Sequence, residues 1–137
     1  MQAAAVVQRS LVGGFLFNVA YLLYAVLVPL DAARQGLPAW EIGALAAAPG
    51  MVQLPLRVLS GPIVNVWGEP KMLRATFTSI ALAGVVAMVV PNPVLGLGLG
   101  QLAVGLARGL YWTAAQALVG RQPGDRARMM GLFTTFT

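Results

Sequence analysis

The chain has 137 residues, of which 58% are hydrophobic and only 9% are charged, and its net charge is +5. An average soluble domain carries roughly 25% charged residues, so this composition excludes an ordinary soluble fold and indicates a protein dissolved in lipid. The absence of Cys and His excludes disulfides, thiolate and imidazole metal sites and histidine catalysis.

Four apolar stretches follow one another along the chain, each long enough to cross a bilayer as an α-helix. We place these spans at residues 11–30, 42–66, 72–90 and 95–119, and a partial fifth span, too short to cross, at residues 129–137. Glycine and proline mark the breaks between them, as in Pro91-Asn92-Pro93. The sequence predicts an all-α membrane protein with a single transmembrane domain.

The basic residues fall mostly on one side of the predicted membrane. That side receives Arg9, Lys71, Arg74, Arg121, Arg126 and Arg128, whereas the other receives only Arg34. Because basic loops stay inside, we predict a cytoplasmic N-terminus and a multi-pass protein of the cell membrane, the inner membrane in bacteria. A cleaved signal peptide is the alternative for the first 30 residues, but the apolar run is about twice the usual length.

Two arginines, Arg57 and Arg108, lie inside predicted spans, roughly 13 and 18 Å from the cytoplasmic ends at the rise of an α-helix. Charges at this depth are costly and are often functional. Other polar side chains lie on the same helix faces as these arginines, and two more lie together on one face of the first span. We therefore predict a cavity between spans 1, 2 and 4, with substrate-binding residues Asn18, Tyr21, Gln53, Arg57, Arg108 and Tyr111.

Two fixed cations favour an anionic solute, because charge-assisted hydrogen bonds to carboxylate or phosphate are strong. The alternative is structural: each arginine bonds helix carbonyls or pairs with an acid on another helix. We expect all four acids to lie in loops, so such a partner would have to come from elsewhere; these are Asp31, Glu41, Glu69 and Asp125.

Other features of the sequence bear on packing and on excluded functions. Gly105 and Gly109 form a GxxxG pair, which predicts close packing of the fourth span against a neighbour. The basic residues form no run or stripe, so we expect no nucleic-acid partner. No paired carboxylates, nucleophile–base set or phosphate loop occurs, so we expect no enzyme activity and no cofactor.

Residues 61–71, GPIVNVWGEPK, resemble the signature between the second and third helices of the major facilitator superfamily, roughly G-x-L-a-D-R-x-G-R-R/K. Gly61 and Gly68 match at the right separation, and Lys71 takes the trailing basic position. Asn65 stands where the family usually has Asp. The resemblance extends over nearly all 137 residues, which correspond to about the N-terminal third of a typical member.

This resemblance implies a secondary transporter that moves a small solute by alternating access, in which two six-helix bundles rock about a midplane site. Helices one and four would line the cavity, and Gly61, Asn65, Gly68 and Lys71 would form a conformational loop motif. In the family the Asp of this motif steadies one access state, so Asn65 implies a weaker contact. The implied partners are the lipid bilayer, the solute, a coupling proton and the remaining helices of the transporter.

Two organisations of the protein are compatible with the sequence. We expect an N-terminal portion of such a transporter, because the sequence stops within a fifth apolar run. The alternative is a complete four-helix protein that acts as an oligomeric exporter or as a non-transporting membrane subunit. Small exporters of that kind need an embedded carboxylate, which the predicted spans lack.

Overall fold

A computed structural model describes residues 2–121 of the chain together with residues 127, 131 and 134. Its elements are four α-helices: α1 (Gln2–Arg34), α2 (Ala39–Trp67), α3 (Glu69–Val89) and α4 (Pro93–Gly120). Each contains a segment long and apolar enough to cross a membrane, and the described residues contain no strand. The all-α membrane fold is confirmed. The predicted partial span at residues 129–137 lies outside the described residues apart from Gly131 and Thr134.

The helices extend beyond the spans predicted from hydropathy, except at the end of α3, which stops one residue short. A hydropathy pattern stops at the first charged residues, whereas the backbone keeps its hydrogen bonds through the membrane interface. Three of the acids expected in loops are consequently helical: Asp31 lies near the end of α1, Glu41 in the first turn of α2, and Glu69 at the start of α3. The expectation that these acids occupy loops is wrong, and Asp125 lies outside the described residues.

Short connections join the helices. Gly68 is the single residue between α2 and α3, and its φ of 77° is a conformation that side-chain-bearing residues rarely adopt. The residues of the predicted loop motif therefore lie mostly in helices, since Gly61 and Asn65 belong to α2 and Lys71 to α3. Before α4, the Asn92 side chain accepts a hydrogen bond from the backbone N–H of Leu95, which caps the helix.

Helix α4 lies at the centre of the bundle, between α2 and α3, and is the most deeply buried of the described helices. Its glycines allow a close approach to α2. A Cβ atom on Gly105 would lie 2.5 Å from the carbonyl oxygen of Pro49, and one on Gly109 would lie 2.7 Å from the Cβ of Leu56. The close packing predicted from the GxxxG pair is confirmed.

A hydrogen bond and small residues hold α3 against α4. The Ser79 hydroxyl donates to the carbonyl of Ala103 at 2.8 Å. A Cβ atom on Gly100 would lie 3.1 Å from the carbonyl oxygen of Ala83. Helix α1 is held mainly by two apolar clusters. One forms around Phe17 and the other around Val28 and Ala32, which pack with Leu97 of α4.

Helix α2 contains three internal prolines, Pro49, Pro55 and Pro62. Proline has no backbone N–H, so each one leaves a helical carbonyl without its usual donor. In a membrane such helices persist where neighbouring elements support them. Pro49 has that support, because its backbone lies against Gly105.

Candidate solute-binding site

Arg108 and Tyr21 connect α4 to α1. Nη1 of Arg108 donates a hydrogen bond to the Tyr21 hydroxyl, and the guanidinium carbon lies 4.0 Å from the centroid of the same ring. Arg108 lies about 18 Å from the C-terminal end of α4 at helical rise. Its partner is neutral, so the contact orients the guanidinium, and no carboxylate of the described residues compensates its positive charge.

Arg57 and Gln53 form a second such pair within α2. In the amide orientation that satisfies both groups, the oxygen of Gln53 accepts from Nε and Nη2 of Arg57 at 3.1 and 2.9 Å. Gln53 is buried and Arg57 is exposed. The spacing of four residues places them on one helix face, as predicted. This arginine, too, is held in place by a neutral partner.

Arg57 faces α4 across a polar depression. The depression has a volume of about 430 Å³ and is lined by Arg57, Trp112, Thr113 and Gln116. Trp112 and Gln116 follow Arg108 by four and eight residues, so these three residues lie along one face of α4. Arg108 is half-buried. The two arginines therefore border the same side of α4, one on that helix and the other across from it.

A pair of hydroxyl groups joins α2 and α4 beside this depression. Ser60 is fully buried, and its hydroxyl donates to the carbonyl oxygen of Arg57 at 2.9 Å. Ser60 and Thr113 also share a hydrogen bond. These bonds fix the backbone that carries Arg57 relative to α4.

Two of the predicted site residues are not members of the arginine pairs described above. Tyr111 is buried, and its ring stacks on that of Phe17 with 4.2 Å between the centroids and an angle of 12° between the planes. It also makes edge contacts with Phe77 and Trp112. Asn18 is half-buried on α1, three residues before Tyr21. Binding roles for Asn18 and Tyr111 stay predictions, and the surroundings of Tyr111 are those of a packing residue.

Thr113 and Gln116 line the depression but are absent from the predicted set. Gln116 follows Arg108 by eight residues, so extending the polar stripe of α4 by one turn identifies it from sequence. Thr113 carries no such signal, because its place in the site depends on the contact between α4 and Ser60 of α2.

The acidic side chains of the described helices lie near the helix ends. Glu69 is buried at the start of α3, and its Oε1 lies 2.9 Å from Nε of Arg121, just beyond α4. Asp31 accepts a hydrogen bond from Gln35 at the other end of the bundle. In the described part of the chain, no carboxylate lies in the central turns of a helix, and none forms an ion pair with either arginine.

A larger depression lies elsewhere, between α1, α3 and α4. Its volume is about 600 Å³ and its walls are mainly apolar, with Asp31 and Arg34 at one end. Tyr24 contributes a hydroxyl that has no hydrogen-bond partner within the part of the chain that the structure describes. None of the predicted site residues lines this depression. Among the described residues, no cluster of acidic side chains could hold a metal ion.

Comparison with known proteins places this arrangement in a family. The model of the Major Facilitator Superfamily matches residues 3–137. No curated protein and no solved structure matches the chain. The family match covers nearly the whole sequence, including all four helices and both arginines. The chain belongs to the Major Facilitator Superfamily and is a multi-pass membrane protein of that transporter family.

Proposed function

We propose that the protein is a secondary active transporter that carries a small anionic solute by alternating access. Arg57 and Arg108 bind the anionic group of that solute. The observation that carries the proposal is the pairing of each arginine with a neutral side chain, Gln53 or Tyr21, at membrane depth.

The unbalanced charge is the first argument for an anionic solute. A cation inside the hydrocarbon is costly, and a structural arginine is usually neutralised by an acid. Here the described helices supply no such acid to either guanidinium. An anion that enters the site removes this cost while it is bound, so the empty site attracts anions and rejects cations.

The neutral partners supply the second argument. Tyr21 and Gln53 hold the guanidinium groups in defined orientations, which lowers the entropy lost when a ligand binds. Guanidinium groups have five N–H donors, and these contacts use only part of them. The remaining donors are available to carboxylate or phosphate oxygens, which guanidinium groups bind in a bidentate manner.

Accessibility supports the same assignment. The Arg57 side chain is exposed and Arg108 is half-buried, so neither is enclosed by the four helices. Both lie near the middle of their helices, where transporters of this architecture bind solute between two moving halves. Alternating access then requires that the surface carrying Arg57 and Arg108 face a second half of the transporter.

The test is uptake by the full-length protein in proteoliposomes, with labelled small carboxylates and organophosphates and an imposed pH gradient. We expect Arg57→Gln and Arg108→Gln to lower anion uptake at least tenfold and the corresponding lysine variants to retain part of it. Arg34→Gln is the matched control, because this exposed arginine lies in the last turn of α1 and belongs to neither arginine pair. Wild-type anion uptake by both folded glutamine variants would refute the proposal.

A further inference from the structure

We infer that the solute carries a hydroxyl group next to its anionic group, and that Thr113 accepts a hydrogen bond from this hydroxyl. The solute is thus a small hydroxylated organic anion, such as a 2-hydroxy carboxylate or a hydroxyalkyl phosphate. The inference rests on the proposed function, because it names the substrate class of the same site.

The hydrogen-bond pattern around Ser60 determines what Thr113 can offer. A serine hydroxyl has one hydrogen, and Ser60 donates it to the carbonyl of Arg57. We therefore assign Thr113 as the donor in the hydrogen bond between Ser60 and Thr113. Its single hydrogen is engaged in this bond, so Thr113 offers a ligand only the lone pairs of its oxygen.

Thr113 lies beside the anion-binding group. Its side chain is half-buried and lines the same depression as Arg57, which has a volume of about 430 Å³. An anion bound to Arg57 therefore has Thr113 as its neighbour, and in our inference the Thr113 oxygen is turned toward it. A second anionic oxygen at that position would be repelled, whereas a ligand donor would satisfy Thr113. The site is complementary to an anion with an adjacent donor.

Charge distinguishes between the two common donors, hydroxyl and ammonium. An ammonium group in the depression would stand beside the Arg57 guanidinium, with Arg108 on the adjoining turn of α4. Like charges in a partly desolvated site repel each other strongly. A hydroxyl donates the same hydrogen bond without charge. The remaining wall, Trp112, provides an aromatic surface for a short carbon skeleton.

The experiment measures binding to the purified full-length protein by calorimetry, with pairs of anions that differ only in one hydroxyl. The pairs are lactate with propionate, malate with succinate, and glycerol phosphate with propyl phosphate. We expect the hydroxylated member to bind about tenfold more tightly, the ratio expected of one hydrogen bond. Thr113→Val should reduce this ratio to about one, and Thr113→Ser should preserve it.

Ser60→Ala separates the role of Thr113 in ligand binding from the role of the hydrogen bond in helix packing. This variant and Thr113→Val both break the hydrogen bond between Ser60 and Thr113, but only the valine variant removes the Thr113 oxygen. Ser60→Ala leaves the Thr113 hydrogen free to be donated to an anionic oxygen, so we expect this variant to bind the anions without a hydroxyl more tightly than the wild type does. Weaker binding of both members of each pair in both variants would overturn the inference by assigning the effect to packing.

The remaining outcomes separate this inference from the proposed function. Anion binding that requires Arg57 and Arg108 but shows no hydroxyl preference would overturn the inference alone. Tighter binding of alanine than of lactate would also overturn it, because an ammonium would then be the preferred donor. Anion binding that is unchanged in Arg57→Gln and Arg108→Gln would overturn the proposed function and the inference together.

Discussion

Arg108 contacts Tyr21 in two ways, through a hydrogen bond to the hydroxyl and through the face of the ring. The two residues belong to helices α4 and α1, which otherwise meet mainly through apolar clusters. The contact therefore couples the orientation of a membrane-embedded cation to the position of α1. A solute that competes for the guanidinium would also alter the attachment of α1 to α4.

Substitution of Tyr21 separates the contribution of its hydrogen bond to anion binding from that of its ring. Tyr21→Phe removes the hydrogen bond and keeps the ring, so we expect a rise of about three- to tenfold in KM for the anion. Tyr21→Ala also removes the cation–π contact, which is worth about 0.5–2 kcal/mol, and should have the larger effect. Uptake kinetics in proteoliposomes provide the measurement. Tyr24→Phe is the control on the same helix, since the Tyr24 hydroxyl has no partner in the described structure.

Substitution of Gly105 should separate α2 from α4. A Cβ atom at this position meets the carbonyl oxygen of Pro49 at 2.5 Å and its Cα at 2.9 Å, and backbone atoms cannot move aside as a side chain can. We expect Gly105→Ala to lower the free energy of unfolding by about 1–3 kcal/mol. Thermal denaturation in detergent measures the effect.

Gly98→Ala is the matched control for that experiment. Gly98 lies on the same helix, and its added Cβ would make an ordinary 3.7 Å contact with the side chain of Leu45. The stability should change little or increase, because alanine is the better helix former. Equal destabilisation by both variants would show that the approach of Gly105 to Pro49 is not the cause.

Because Glu69 and Arg121 form an ion pair, we expect substitutions of the two residues to have non-additive effects on stability. Arg121→Ala leaves the buried Glu69 carboxylate without its cation, so we expect a loss of about 1–2 kcal/mol, reduced from the value for a fully buried pair because Arg121 is largely exposed. The double variant Glu69→Gln/Arg121→Ala should recover part of this loss. A double-mutant cycle of denaturation measurements tests the coupling, and additive single effects would contradict it.

Asn65 provides a test of the conformational motif. Its side chain is exposed in the last turns of α2, at the position where the family usually has Asp. We expect Asn65→Asp to shift the balance between access states, whereas Asn65→Ala should shift it much less. The chain has no cysteine, so single introduced cysteines report accessibility from each side of the membrane without background. Identical labelling in all variants would contradict the prediction.

Local spacing is enough to predict one of the two arginine pairs. The other pair depends on long-range packing between helices, which the sequence does not show. Gln53 and Arg57 are four residues apart on one helix, so their pairing follows from helical geometry. Arg108 and Tyr21 were both predicted site residues, but they are 87 residues apart, and no periodicity shows that α1 and α4 meet there.

Tyr111 illustrates the limit of a face-based argument. Its spacing from Arg108 places both residues on one broad side of α4, but the central helix has neighbours on several sides. The stacking partner Phe17 belongs to α1, and the contact covers the Tyr111 ring. The helices themselves were predictable because four long apolar stretches are separated by turn residues. Their ends were less so, because charged residues such as Glu69 continue the helix at the interface.

The three prolines of α2 give the two arginines supports of unequal stiffness. Each proline removes one backbone hydrogen bond, so α2 resists bending less than α4, which has no proline beyond its first turn. The contact of Pro49 with Gly105 restrains one of these weak points, whereas Arg57 lies between the other two. The hydrogen bonds of Ser60 with the Arg57 carbonyl and with Thr113 tie this segment of α2 to α4, so the spacing of the two positive charges depends on a few hydrogen bonds between the helices and not on the stiffness of α2.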